Sequence, residues 1–139
     1  MRHVPLLIIP FVLYNAFAFL IFGDYDKGFR EAYVLRVTMP SGVIFWLTVA
    51  TLIVLLALVV LGVELVKAAR AHTTSLLEHA LAAGLFVVFL LEFLFVGQAA
   101  TGTFLILTMI ALVDLVCGLA MALRVAAREP EPSPQPEIT

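Results

Sequence analysis

The sequence predicts an all-α integral membrane protein: a bundle of four transmembrane helices joined by short turns and followed by a disordered, proline- and glutamate-rich C-terminal tail. Of its 139 residues, 63% are hydrophobic and only 13% are charged, whereas a soluble domain carries roughly 25% charged residues. So few charges cannot cover the surface that a small soluble fold exposes to water. The formal net charge of −2 gives no indication of nucleic-acid binding. The lipid bilayer is therefore the expected solvent for most of the chain.

Four apolar segments are long enough to cross a bilayer, which takes roughly 20 residues in a helix. Residues 4–23 and 37–63 contain no charged side chain, and residues 76–123 form a further, largely apolar run. Small and polar residues with two glycines interrupt that run at 97–103 and predict a tight turn. Because lipid offers the backbone no hydrogen bonds, each segment should be helical. The predicted bundle occupies residues 1–128, with helices at 4–22, 43–69, 76–96 and 103–128.

The first helix has a second interpretation. Arg2, the apolar run after it and the small residues Ala16 and Ala18 are typical of a cleavable signal peptide. The apolar run continues to Phe22, however, which is long enough to span a bilayer. We therefore expect the segment to be retained as a transmembrane helix.

Two segments lie outside the predicted helices. The loop at 23–42 is expected on the extracytoplasmic side, and it can form either a short surface helix or a strand. Phe29, Tyr33 and Val37 recur at a helical spacing, whereas residues 33–38 are strand-like in composition. The tail at 129–139 alternates proline with polar residues, so we expect it to be extended, disordered and cytoplasmic.

Lysine and arginine residues predict the orientation, because short cytoplasmic segments are richer in them. An N-terminus inside the cell places five basic residues on the cytoplasmic side and three on the other. These are Arg2, Lys67, Arg70, Arg124 and Arg128 against Lys27, Arg30 and Arg36. The predicted location is the cytoplasmic (inner) membrane, with both termini in the cytoplasm.

Polar side chains within the apolar segments are the main functional candidates, because an ionisable group there costs roughly 2.5–3.5 kcal/mol on insertion scales. A rise of about 1.5 Å per residue places Asn15 and Glu92 about 8–10 Å below the extracytoplasmic helix ends. Thr48 and Thr108 fall at a similar depth. We therefore expect Glu92 to be hydrogen-bonded by Asn15 and by one or both threonines.

Asp114 lies deeper, about 16 Å from the predicted start of its helix and near the midplane. It shares one helix face with the small residues Ala111, Gly118 and Ala122. Small residues allow a second helix to approach closely. The sequence offers Asp114 no cationic partner at its depth. The protonated form is therefore the cheaper state, unless another protein or a lumen supplies a positive charge.

The remaining polar residues indicate neither catalysis nor a bound cofactor. Glu64 lies one turn before Lys67, and we expect it to pair with Lys67 or to reach the membrane surface. His72 and His79 are poorly placed to share a metal ion and too shallow to ligate a haem. Cys117 is the only cysteine, so a redox pair is excluded and packing is its expected role. We predict no enzyme activity, no cofactor and no metal site.

Two functions remain open. Glu92 and Asp114 can fix helix packing, contact another membrane protein, or couple the movement of protons or cations. Because the small-residue stripe carries Asp114 without an internal counter-charge, we expect a non-enzymatic accessory or assembly subunit whose fourth helix docks on another membrane protein. The alternative is a homo-oligomeric proton- or cation-coupled small transporter or channel that uses Glu92 and Asp114. The expected partners are the lipid bilayer and either a membrane protein or further copies of the chain.

Overall fold

A computed structural model describes residues 5–21, 32–70 and 76–127. Three of its helices are long and apolar enough to cross a membrane, and a shorter apolar helix precedes them. The predicted all-α bundle of four transmembrane helices is therefore confirmed in part: three helices have the length and composition to span a membrane, and a small two-stranded sheet is also present. The tail at 129–139 and most of the loop at 23–42 lie outside the described residues.

The first helix is shorter than predicted within the described part of the chain. Helix α1 (Ile8–Asn15) continues as a π-helical segment, Ala16–Ile21. Together they make 14 residues, or about 21 Å at the α-helical rise. That is less than the roughly 30 Å of a hydrocarbon core. Residues 4 and 22, the predicted ends of this helix, lie outside the described part.

The start predicted for the second helix, at residue 43, is wrong. Strand β1 (Tyr33–Thr38) pairs antiparallel with strand β2 (Ile44–Thr48), and helix α2 (Val49–Arg70) begins only after the hairpin. β-Branched and aromatic residues dominate β2, and such residues favour strands. Within one apolar run, hydropathy does not separate a strand from the first turn of a helix.

The hairpin turn explains why the strands reverse where they do. Met39 O accepts a hydrogen bond from Gly42 N at 2.8 Å, and Met39 N donates to Val43 O at 2.9 Å. Pro40 occupies the second position of this turn, which its fixed φ suits. Gly42 has φ +82°, a left-handed conformation that side chains with a Cβ disfavour.

Two long helices complete the bundle. Helix α3 (Leu76–Phe95) is followed by a 3₁₀ turn (Gly97–Ala99) and then by helix α4 (Gly102–Ala126). Thr101 caps α4, because its Oγ1 accepts a hydrogen bond from Phe104 N at 3.1 Å. Helix α4 packs against both α2 and α3, and α1 packs against α2.

Aromatic rings make up much of the buried interior between α1, α3 and α4. The centroids of Phe11 and Phe89 are 4.7 Å apart, those of Tyr14 and Phe104 4.8 Å, and those of Phe89 and Phe104 5.5 Å. Tyr14, Phe89 and Phe104 are almost completely buried. This aromatic core joins α1, α3 and α4 in the half of the bundle nearer the hairpin. We call that end the hairpin end, and the opposite end, which carries Lys67, Arg70 and Arg124, the basic end.

Candidate functional site

Glu92 and Asn15 meet in the half of the bundle nearer the hairpin end. Asn15 Nδ2 donates to Glu92 Oε2 at 3.3 Å and also to Phe11 O at 3.2 Å, one turn earlier. Glu92 Oε1 is buried and has no hydrogen-bond partner among the described residues. The structure thus brings together two of the residues expected in this layer and leaves half of the carboxyl group without a donor.

The two threonines expected to bond Glu92 are engaged elsewhere. Thr108 is fully buried, and its hydroxyl donates to Phe104 O at 2.9 Å, within its own helix. Thr48 lies at the end of β2, where its Oγ1 accepts from Thr51 N at 3.2 Å and lies 2.9 Å from Thr51 Oγ1. The physical reason is local: a threonine hydroxyl readily reaches a backbone group within one helical turn. The expected threonine bonds to Glu92 are therefore replaced by bonds to near neighbours in sequence.

Tyr14 makes a polar contact that the sequence reasoning missed. Its hydroxyl lies 2.8 Å from Thr101 Oγ1 and donates to Gln98 O at 3.3 Å. Helix α1 is thereby tied to the turn between α3 and α4. A tyrosine in an apolar helix is a weak signal, because its ring packs well in either lipid or protein.

Glu64 and Asp114 meet deeper in the bundle, nearer the basic end. The Leu6 amide donates a hydrogen bond to Glu64 Oε1. The carboxyl group of Asp114, on α4, lies within interaction range of the Glu64 carboxyl group. Glu64 Oε2 is buried and has no hydrogen-bond donor among the described residues. Because carboxylate oxygens only accept, the two acids can bond one another only if one carries a proton.

Positive and titratable groups lie beside this pair, contrary to the expectation that Asp114 has no cationic partner. Lys67 interacts electrostatically with both carboxyl groups, and His79 interacts with that of Asp114. Lys67 is one turn from Glu64, and the side-by-side packing of α3 and α4 brings His79 to Asp114. Glu64 also differs from the expectation of a simple pair with Lys67, because its carboxyl group also accepts from the Leu6 amide and interacts with Asp114 on α4.

The small-residue stripe of α4 packs within the chain. Ala111 is buried, and a Cβ on Gly118 would lie 3.6 Å from His79 Nδ1 on α3. Ala122 is half-buried. The described chain therefore already occupies much of the face that carries Asp114, so α4 has less free surface for a partner than the sequence suggested.

The sequence contains a signal that Glu64 lies within the bundle, in addition to its closeness to Lys67. Glu64 follows 27 uncharged residues, 37–63, and lies six residues before Arg70. Its proximity to Lys67 predicted a simple ion pair, whereas its partners Leu6 and Asp114 are 58 and 50 residues away.

Among residues 5–21, 32–70 and 76–127, no three histidine, cysteine, aspartate or glutamate side chains lie close enough to hold a metal ion. The arrangement is instead one of carboxyl groups at two levels of a helical bundle. Carboxyl groups can in general bind and release a proton or a small cation. Comparisons with protein families, with curated proteins and with solved structures find no match for this chain.

Proposed function

We propose that this chain is a small, non-enzymatic, multi-pass membrane protein that moves protons or a small cation, or couples another movement to them, through its intramembrane carboxyl groups. The observation that carries the proposal is the packing of α2 against α4, which brings the half-buried Glu64 and Asp114 side chains within electrostatic range of one another. Compared with the expectation of a docking subunit, this alternative is favoured because the α4 stripe packs against α3.

Two facing carboxyl groups in an apolar bundle form a site for a single positive charge. Like charges 4 Å apart repel by about 4 kcal/mol at an effective dielectric constant of 20. A pair of this kind therefore retains one proton, or takes a cation, while it is closed to water. Opening to water stabilises the ionised form and releases the charge. If the pair is exposed in turn to the two sides of the membrane, the movement of the proton or cation is coupled to that opening and closing.

The neighbouring polar groups outline a route along the bundle for the moving proton or cation. Lys67 and His79 lie beside the pair on the side of the basic end. Glu92 lies roughly 13 Å further toward the hairpin end, by the axial rise along α3 and α4. Thr108, between these levels in depth, is the buried polar residue nearest the gap. Glu92 and the Glu64–Asp114 pair are thus two successive binding sites on the proposed route.

Proton movement into reconstituted vesicles tests the proposal directly. The full chain is placed in potassium-loaded liposomes that contain a pH-sensitive dye, and valinomycin sets an inside-negative potential. We expect the interior to acidify faster than in protein-free vesicles. Glu64→Gln and Asp114→Asn should each return the rate to that of protein-free vesicles, because an amide cannot take up a proton at this position.

A matched control separates this function from a general effect of removing an acid. Glu78→Gln makes the same chemical change at an exposed position in the first turn of α3, and it should leave the rate unchanged. The experiment is repeated with an imposed gradient of protons, of sodium or of potassium. If the wild-type chain acidifies the vesicles no faster than empty membranes under any of these gradients, the proposal is wrong.

A second function, the accessory or assembly subunit, is favoured by the surface of α3. Only 6% of an 18-residue apolar stretch of α3 is buried inside the chain, against 22% for the corresponding stretch of α2 and 28% for that of α4. Ala80 and Gly84 are exposed and lie one turn apart, and a Cβ on Gly84 would meet nothing within 4 Å. An exposed pair of small residues at this spacing allows close approach of a helix from another protein.

Native mass spectrometry of the chain purified from its own membranes in mild detergent tests this second function. A stoichiometric second protein should be present with the wild type and lost with Gly84→Leu. Gly62→Leu is the matched control, because Gly62 is also exposed with nothing near its Cβ position. Copies of the chain alone, or equal capture by both variants, would contradict docking through α3.

A further inference from the structure

The two faces of the hairpin differ in chemical character. Residues directly opposite one another on antiparallel strands project from the same face, so the pairing assigns each side chain to a face. One face is entirely apolar and carries Leu35, Val37, Phe45 and Leu47. The other face carries Tyr33, Arg36, Thr38, Ile44, Trp46 and Thr48. The bulge between Tyr33 and Leu35 places Tyr33 on this second face.

The second face is organised around Trp46. Its ring lies 4.9 Å from that of Tyr33, and the Arg36 guanidinium lies 5.0 Å from the Trp46 centroid. Arg36 is the only charged residue between positions 33 and 48. Tryptophan, tyrosine and arginine are the residues that settle at the headgroup level of a bilayer, where an apolar body and a polar tip are both satisfied.

The apolar face is uncovered by the described part of the chain. Leu35, Val37 and Phe45 are 53%, 39% and 43% exposed. An isolated two-stranded hairpin is marginally stable in water, and one that exposes an apolar face would gain stability from any apolar surface that covers it.

The position of the hairpin in the chain determines which surface is nearest. Strand β2 ends at Thr48 and the spanning helix α2 starts at Val49, with no linker between them. Val49 N also donates to Ala32 O at 3.0 Å, so β1 begins and β2 ends at the start of the helix. Strands of five and six residues extend no further than about 20 Å. The whole hairpin therefore lies next to the membrane boundary.

The backbone limits how deep the hairpin can go. Among the described residues, each strand has only one partner, so the outer edges carry N–H and C=O groups that no described strand pairs. These groups cannot enter the hydrocarbon core without a large cost. At the headgroup level, water and lipid carbonyl groups can satisfy them.

We propose that the hairpin lies flat on the bilayer surface, with Leu35, Val37 and Phe45 against the acyl chains and Arg36 and Trp46 at the phosphate and headgroup level. The occupant of the apolar face is thus the lipid bilayer itself. The inference is independent of how the intramembrane carboxyl groups are used.

Trp46 is the only tryptophan in the chain, so its fluorescence reports the depth of the hairpin without a label. The full-length protein is reconstituted in phosphatidylcholine vesicles that carry a nitroxide at the headgroup, at a shallow acyl position or at a deep acyl position. We expect quenching by the headgroup and shallow nitroxides, little quenching by the deep nitroxide, and little quenching by aqueous iodide.

Two adjacent substitutions provide a matched pair. Val37→Asp places a charge on the apolar face, and Thr38→Asp places the same charge on the opposite face. Val37→Asp should cause loss of most of the nitroxide quenching and a gain of iodide quenching, whereas Thr38→Asp should change neither. The far-UV circular dichroism of both variants verifies that the helices are retained.

Each other result contradicts the proposal. Strong iodide quenching of the wild type with no nitroxide quenching would mean that the hairpin projects into water. Protection from both kinds of quencher would mean that protein, such as a second copy of the chain, covers it. If Val37→Asp does not fold, the depth profile of the wild type still decides.

Discussion

At the scale of single residues, Glu92 and Asn15 show what one hydrogen bond does inside an apolar bundle. Asn15 Nδ2 donates to Glu92 Oε2, and Glu92 Oε1 has no donor among the described residues. An unpaired polar group away from water costs more than the bond itself contributes. Removing one partner should therefore be worse than removing both.

A double-mutant cycle measures this asymmetry. Asn15→Leu should lower the free energy of unfolding by about 0.5–2 kcal/mol, because it leaves the Glu92 carboxyl group without its donor. Glu92→Leu should cost less, and the double variant should recover part of the loss of Asn15→Leu. Unfolding in mixed detergent–SDS micelles provides the free energies. Additive effects of the two changes would show that the bond contributes nothing.

Single residues also show where sequence reasoning ends. The sequence identified Asn15, Glu92 and Asp114 as polar groups in apolar helices, because a charge or amide there is expensive. It assigned Glu64 to Lys67, because neighbours within one turn are visible in a sequence. The partners of Glu64 that the fold brings together, from 50 and 58 residues away, are not visible in the sequence.

At the scale of elements, hydropathy was sufficient for α3 and α4 but not for α2. The described helices Leu76–Phe95 and Gly102–Ala126 begin within a residue of the predicted starts at 76 and 103. Polar and small residues precede each of those starts in the sequence, at 71–75 and 97–103. No such change marks the start of α2, since residues 43–63 are uncharged throughout. The signal that distinguishes β2 is its β-branched and aromatic content together with the turn at Pro40 and Gly42.

Gly42→Ala tests the hairpin turn. With φ at +82°, an added Cβ should cost roughly 1–2 kcal/mol and loosen the contact between Tyr33 and Trp46. We expect lower near-ultraviolet circular dichroism and lower anisotropy of the Trp46 fluorescence. Gly97→Ala, in the turn at the same end of the bundle with open space around its Cβ position, should change neither signal. Identical spectra for the two variants would count against the turn geometry.

Gly118→Leu tests the packing of α4 against α3. A Cβ at this position would be in ordinary contact with His79, at 3.6 Å, so Gly118→Ala should be tolerated. The larger leucine must displace α3 and should cost about 1–3 kcal/mol. Gly62→Leu, where nothing lies within 4 Å, should be close to neutral. Thermal unfolding in detergent compares the three variants, and equal stability of Gly118→Leu and Gly62→Leu would contradict this packing.

At the scale of the whole molecule, the distribution of basic residues predicts the orientation. Lys67, Arg70 and Arg124 lie at the basic end, while Arg36 lies in the hairpin at the other. Short cytoplasmic segments are enriched in such residues, so we propose that the basic end faces the cytoplasm. A fluorescent protein fused to the C-terminus should be bright, and alkaline phosphatase fused there should be inactive. An active phosphatase fusion would reverse the assignment.

Helix α1 and the residues just before it have their partners far along the chain: Leu6 bonds Glu64, Asn15 bonds Glu92, and Tyr14 bonds Thr101, at separations of 58, 77 and 87 residues. Ribosomes add about 5–20 residues per second, so Thr101 follows Tyr14 by about 4–17 s. During that interval the contact between Tyr14 and Thr101 cannot form, and the bond from Asn15 to Glu92 forms only once α3 has been made. The docking of α1 is thus completed only after the residues that precede α4 have left the ribosome.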